Sequence, residues 1–275
     1  MKKILLLALP LMAMCAVSCE KWKDDSQIIH FKDPSFLKAV LELVFDFGSI
    51  DRNGDGRISE KEASVVESLD VGGGGIEYLD EIKYFTALTS LNCSYNQLTA
   101  LNVGFNFALT SLDCYGNQLT SLDLSNNTAL TELSCSENQL TSLDLSNNTA
   151  LTELSCYCNQ LTSLDLSNNT ALTSLDCSYN QLTSLDLSNN TALTYLDCSD
   201  NQLTSLDLSN NTALTSLDCY GNQLTSLDLS NNTALTYLDC NYNQLKKIIL
   251  PSNHSLDDYV IRGIISVYGD IIEYR

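Results

Sequence analysis

The sequence predicts a repeat fold of the α/β class, mostly strand and irregular backbone. It should be a solenoid with one parallel strand per repeat, a helical N-terminal cap and a small C-terminal cap. Three observations predict this. A 21-residue unit recurs eight times, with copies starting at Ala87, Ala108, Ala129, Ala150, Ala171, Ala192, Ala213 and Ala234. Each copy holds its apolar residues in one fixed frame, and the flanking segments keep that frame only loosely. Units of this length cannot bury their own apolar face and must stack on neighbours.

The copy at Ala108 reads ALTSLDCYGNQLTSLDLSNNT. Leu109, Leu112, Cys114, Leu119, Leu122 and Leu124 are expected to point inward, each buried leucine contributing ~1.5–3 kcal/mol. Asn117 and its counterparts Asn96, Asn138, Asn159, Asn180, Asn201, Asn222 and Asn243 should bond backbone groups where the strand turns. The frame LxxLxCxxNxL is followed by LxxLDLxxN, so the leucine pattern occurs twice, nested. In this it resembles the bacterial leucine-rich repeats of nested, IRREKO-like type, found in internalin-like surface lipoproteins. The resemblance spans about three fifths of the chain. It implies a leucine-rich-repeat solenoid and a binding role, and it carries no catalytic residues across.

Upstream, Lys2 and Lys3 precede the apolar stretch Ile4 to Val17. That stretch is shorter than the ~20 residues a membrane-spanning helix needs, so residues 1–18 read as a cleaved signal peptide. Ala16-Val17-Ser18-Cys19 resembles a lipobox. Cys19 is the predicted lipidated residue, favoured over Cys15 because Met14 is not small. Acyl chains there would attach the protein to a membrane through lipid only, with 19–33 as a tether. Lys23-Asp24-Asp25 is similar to an export signal of surface lipoproteins. An outer-membrane location facing the cell exterior is therefore expected, the plain alternative being a solvated tether.

Residues 34–65 should form the N-terminal cap. Leu37, Val40, Leu41 and Val44 have helical spacing over Pro34 to Phe47. The segment Asp51 to Glu62 then fits D-x-[DN]-x-[DN]-G-x5-E, an EF-hand-like calcium loop. Asp51, Asn53 and Asp55 would give side-chain oxygens, Arg57 its carbonyl, Ser59 a water-mediated contact and Glu62 a bidentate carboxylate. One structural calcium ion is the cofactor expected; an Asx-rich turn is the alternative.

The solenoid should run over 66–250, its first repeat degenerate at 66–86 with Val66, Leu69, Val71, Ile76, Leu79, Ile82 and Phe85 keeping the frame. At the other end Ile249 replaces the usual outward Asp, and residues 251–275 should fold over it. A helix around Tyr259 to Val267 and a strand Ile271 to Tyr274 are expected there.

The net charge of −20 excludes nucleic acid, which needs a basic footprint, and suits divalent cations or a basic partner. Cys93, Cys114, Cys135, Cys156, Cys177, Cys198, Cys219 and Cys240 recur at one slot of the repeat. They are expected as buried free thiols in a column, because parallel side chains in register lack disulfide geometry. Cys158 breaks the period.

Variation among copies falls at the fourth, eighth and ninth positions, counting the leading Ala as one. It predicts an outward binding face with an acidic part at Glu132, Glu137 and Glu153. An aromatic part should lie at Tyr195, Tyr220, Tyr237 and Tyr242. The function expected is non-catalytic binding of a protein or glycan by a monomeric envelope protein. An envelope spacer or self-assembling scaffold without external ligand is the alternative. An enzyme is the weakest reading, since His30 and His254 are poorly placed and no nucleophile–base spacing appears.

Overall fold

The structure is a computed structural model that describes residues 26–45 and 48–275. The expected signal peptide, the expected lipidation site Cys19 and the Lys23-Asp24-Asp25 motif lie outside the described residues. Helix α1 (Pro34–Glu42) starts at Asp33, whose carboxylate accepts the Ser35 amide, and buries Phe36 and Val40. The predicted helix to Phe47 stops early: the chain after Leu43 forms the hairpin β1 (Val44–Phe45) and β2 (Gly48–Ser49). The run Val44-Phe45 favours extended backbone, and Gly48 supplies a φ of 106° for the turn. Helix α2 (Glu60–Ala63) is a single turn held by a capping box between Ser59 and Glu62.

From here the chain coils. Strand β3 (Ser68–Asp70) opens a nine-stranded parallel sheet. The sheet continues through β4 (Ser90–Asn92), β5 (Ser111–Asp113), β6 (Glu132–Ser134), β7 (Glu153–Ser155), β8 (Ser174–Asp176), β9 (Tyr195–Asp197) and β10 (Ser216–Asp218). A short return strand, β11 (Leu227–Asp228), precedes β12 (Tyr237–Asp239), which ends this sheet. Every rung pairs with the next at the same repeat position, for example Leu112 with Leu133. The fold is a parallel-strand leucine-rich-repeat solenoid, as the period requires.

Each strand buries its central Leu and turns its two flanking residues outward. Leu109, Leu112, Cys114, Leu119, Leu122 and Leu124 are all buried, and so are their counterparts along the column. The eight periodic cysteines are buried free thiols. Desolvation pushes their pKa values up, that of Cys135 to about 12.

Two asparagine ladders hold the rungs together. In the first, Asn117 Nδ2 donates to the carbonyls of Cys93 and Cys114, both at 3.0 Å, while its Oδ1 accepts the Leu98 amide. The second was not anticipated. Asn106, Asn127, Asn148, Asn169, Asn190, Asn211 and Asn232, from the SNNT segment, are buried as completely as any leucine. Asn169 Nδ2 donates to Leu145 O at 3.2 Å and Asn148 O at 2.9 Å. These bonds satisfy carbonyls of an irregular return segment that no ladder strand covers.

The degenerate first repeat behaves as the frame predicts, with Leu69, Val71, Ile76, Leu79, Ile82 and Phe85 buried. At the other end, β13 (Ile248–Leu250) pairs with β11 and with β14 (Ile272–Tyr274). Helix α3 (Asp258–Tyr268) lies between them in sequence, and Tyr268 caps the last rung by donating its hydroxyl to Cys240 O at 2.7 Å. Ile249 is buried at the pairing of β13 with Glu273 of β14. The apolar swap at that slot is thus a closing surface.

Candidate functional site

The outward face of the nine-stranded sheet collects the fourth and sixth repeat positions. Glu132 and Glu153 sit side by side in register on β6 and β7. Tyr195 and Tyr237, 39% and 49% exposed, flank Ser216 on the strand between them. Asp176, Asp197, Asp218 and Asp239 run in register beside the tyrosines. Burial, then the neighbouring aspartates, raise Asp218 to about 6. Burial and then Asp197 push the Tyr195 phenol up to about 12. In the two glutamate rungs the sixth position is Ser134 and Ser155, so the carboxylate has moved two residues along the strand. A shallow cavity of about 420 Å³ opens there between Asp113 and Asp176.

The eighth position departs from the expected outward face. Where it is Ser it is tucked under the strand end: Ser136 is fully buried and Ser178 Oγ donates to Asp176 Oδ1 at 2.7 Å. Longer side chains emerge from this slot: Tyr115, Tyr157, Tyr220 and, in the last copy, Asn241 are part-exposed.

The ninth position carries a backbone demand that the sequence alone did not reveal. All eight copies adopt left-handed φ, from 49° at Asp200 to 65° at Gly221. Only Gly116 and Gly221 adopt it without strain. Tyr95, Glu137, Cys158, Tyr179 and Tyr242 each cost ~1–2 kcal/mol there, and Asp200 less, because a short carboxylate tolerates this backbone. The strained tyrosines are also well exposed, at 65%, 58% and 74% for Tyr95, Tyr179 and Tyr242.

These positions regroup the predicted residues. Tyr220 and Tyr242 pair at the rim with ring centroids 4.8 Å apart, while Tyr195 and Tyr237 stand on the strands. Glu137 leaves the acidic pair and joins the rim, on the left-handed turn beside Tyr115. A second aromatic cluster was missed: Tyr115 lies 4.7 Å from Tyr95 and 6.0 Å from Tyr157. Its signal was present, since Tyr95 and Tyr115 occupy the same slots as Tyr242 and Tyr220.

Charge is one-sided across this region. Residues 84–245 contain twelve Asp and three Glu and no Lys, Arg or His. The second aspartate column, on the return side, is settled by local bonds. Asp144 accepts the Ser146 amide at 2.9 Å, and this bond followed by the Ser146 hydroxyl lowers its pKa. Asp123, Asp165, Asp186 and Asp207 are held the same way.

In the cap loop, Asp51 Oδ1 accepts from Gly54 and Asp55 and its Oδ2 from Gly56. Asn53 accepts from Asp55, and Asp55 from Arg57. Glu62, 1% exposed, reaches back to the Arg52 amide at 2.9 Å and holds Ser59 with its other oxygen. Gly54 and Gly56 have φ of 70° and 76°. Ile58 is buried and its carbonyl accepts the Ile29 amide. The loop thus brings Asp51, Asn53, Asp55 and Glu62 onto its own backbone. Among the described residues no group of three or more His, Cys, Asp or Glu side chains stands ready-formed around a metal position.

Residues 128–171, 170–211 and 212–253 match the family pattern described as Leucine Rich repeats (2 copies). No curated protein sequence is significantly similar. Among solved structures, the chain is similar to InlJ from Listeria monocytogenes, whose functional domain includes a cysteine ladder. Identity is 34% over 90% of this chain and 61% of that one, with a TM-score of 0.67. A leucine-rich-repeat protein of Leptospira interrogans is 22% identical over 72% of this chain and 57% of its own, with a TM-score of 0.60. A plant receptor-kinase ectodomain, GASSHO1/SCHENGEN3 from Arabidopsis thaliana, was solved in complex with CASPARIAN STRIP INTEGRITY FACTOR 2. It is 24% identical over 78% of this chain and 27% of its own, with a TM-score of 0.62. The chain spans about three fifths of the length of the two bacterial proteins. Period, buried cysteine column and family match together make the repeated region a leucine-rich-repeat solenoid, similar to those of bacterial proteins.

Proposed function

We propose that this protein is a non-catalytic binding protein of the bacterial cell envelope. It recognises a protein or glycan through the outward strand face and its tyrosine rim. One observation carries the reading: the repeats differ from one another on that face and rim, where exposed tyrosines are kept in strained left-handed backbone. Stability alone favours Gly at the rim, as in two of the eight copies, so strain at the others is accounted for by use of the side chains. Rigid, exposed tyrosines supply contact area at little entropic cost.

Lipid attachment at Cys19 and display on the outer membrane belong to the same proposal and rest on the N-terminal sequence. Calcium in the Asp51–Glu62 loop is supported by the glycine turns and by Glu62 reaching across to the loop's second residue. Asp51, Asn53, Asp55, Arg57, Ser59 and Glu62 would hold the ion, drawing the carboxylates inward from the backbone amides they now accept. The bound charge would stiffen the cap at the first rung.

The test is binding of the lipid-free chain to arrayed glycans and immobilised extracellular proteins, beside Tyr195→Ala/Tyr237→Ala. A ligand lost by the variant, at unchanged unfolding midpoint, is the expected result. Concentration-dependent self-association with no ligand retained by either protein points to the scaffold instead.

A further inference from the structure

We infer that the occupant of the strand face is an extended, arginine- or lysine-rich segment of a partner polypeptide. This rests on the binding reading above and names the partner's chemistry. Residues 84–245 carry fifteen carboxylates (twelve Asp, three Glu) and no basic side chain. On the return side these charges are locally satisfied by serine amides and hydroxyls. On the strand face Asp176, Asp197, Asp218 and Asp239 likewise accept the amide two residues on, but there they stack in register, part-buried, beside exposed tyrosines, with no basic side chain in residues 84–245 to neutralise the column.

A cation delivered by a partner would neutralise that column, and the tyrosines select its form. Aromatic faces beside carboxylates suit a guanidinium or ammonium group, which takes charge-assisted bonds at its edge and cation–π contact at its face. Tyr195 and Tyr237 stand on β9 and β12, either side of β10, each two residues from an aspartate of the column, Asp197 and Asp239, and at the rim Tyr179 lies close enough to Asp200 for that carboxylate to raise its phenol pKa. The face from β4 to β12 spans seven inter-strand steps, roughly 34 Å at ~4.8 Å each, the length of about ten extended residues. A flexible basic segment fits a shallow face of this length. Small cations would not engage the aromatic rim.

The experiment is fluorescence anisotropy with a labelled twelve-residue peptide of alternating arginine and serine, and matched glutamine–serine and glutamate–serine peptides. The chain is tested at low and physiological salt. Glu132→Gln/Glu153→Gln/Asp197→Asn/Asp218→Asn removes four strand-face charges. Asp144→Asn/Asp165→Asn/Asp186→Asn/Asp207→Asn removes four from the return side. Both sets keep side-chain acceptors for the bonds described, and unfolding midpoints verify the fold. The arginine peptide alone should bind, more weakly as salt rises. The strand-face variant should lose about tenfold or more in affinity and the return-side variant less than about threefold. Equal losses overturn the proposal, because net charge alone would then be read. If the arginine peptide fails to bind while Tyr195→Ala/Tyr237→Ala abolishes a glycan or protein interaction, the basic partner falls and the binding face stands. If neither probe responds to changes on the face, both readings fall.

Discussion

A buried asparagine is the residue on which this fold depends most after leucine. Asn169 is fully buried and donates to the carbonyls of Leu145 and Asn148, so one amide group ties two earlier positions of the coil. Asn169→Ala removes both bonds, at about 0.5–1.5 kcal/mol each because Leu145 O and Asn148 O keep the amides of Asn148 and Leu151, and the cavity left by the side chain adds about 1 kcal/mol or more. We expect a loss of about 2–4 kcal/mol in denaturant unfolding, whereas the neighbouring exposed Asn168→Ala should cost under about 1 kcal/mol. Equal small effects would show that the return segment is not held by this ladder. Asp218 has the opposite character. Its folded pKa of about 6 stands above the ordinary 3.8, chiefly through burial. A carboxyl raised in this way contributes stability that is complete below 3.8 and lost as pH rises through about 6. Asp218→Asn keeps an acceptor for the Tyr220 amide, 3.0 Å away. It should therefore stabilise the protein near pH 7 by about 1 kcal/mol, allowing for solvent screening of a half-exposed group. The gain should vanish at pH 3.5, as read by unfolding midpoints at both pH values.

Elements here are short, and each is shaped by the repeat around it. The rim turn demands left-handed backbone at one residue, and Tyr179 meets that demand at φ 50°. Tyr179→Gly should raise stability by about 0.5–1 kcal/mol, the strain relieved less the entropy of a freer unfolded chain. A fall in stability would mean that the ring contributes more than its backbone costs. The cap loop is the other element with a defined test. Glu62→Ala removes the capping box and the tie to Arg52, so with chelator its midpoint should already lie below wild type by about 1 kcal/mol. Calcium should raise the wild-type midpoint and leave the variant unmoved; no rise in wild type removes calcium from the reading. The solenoid and the cysteine column were legible because a 21-residue period fixes which side chains face inward. Less legible were features set by backbone geometry between rungs. The second asparagine ladder hides in SNNT, which reads as a polar surface turn until stacking places it inside. The early end of α1 depends on β-branched and aromatic residues outweighing helical spacing. The rim's left-handed turn was hidden because only Gly116 and Gly221 advertise it. Of the candidate face, Glu132, Glu153, Tyr195 and Tyr237 could be placed from strand alternation, whereas Glu137 and Tyr220 needed the turn geometry.

At the scale of the whole molecule, electrostatics and packing oppose one another. Stacking places outward carboxylates of adjacent rungs about 5 Å apart, where each pair repels by roughly 1 kcal/mol in water. With no basic residue between positions 84 and 245, any compensating ion pair must reach in from an end of the coil. The pairs Lys32–Asp80, Lys38–Glu42 and Lys247–Glu273 all lie outside that stretch. They are solvent-exposed and worth no more than about 1 kcal/mol each, so little is lost when salt screens them. The repulsion is distributed over the full stack and falls as the screening length shrinks from ~30 Å at 0.01 M to a few ångströms near 1 M. The unfolding midpoint, measured with chelator present, should therefore rise steadily with sodium chloride from 0.01 M to 0.5 M. The strand-face variant Glu132→Gln/Glu153→Gln/Asp197→Asn/Asp218→Asn should start higher and respond less. A midpoint that fell with salt would show that the end-cap ion pairs outweigh the stacked carboxylates, and would remove charge repulsion as the force a basic partner relieves.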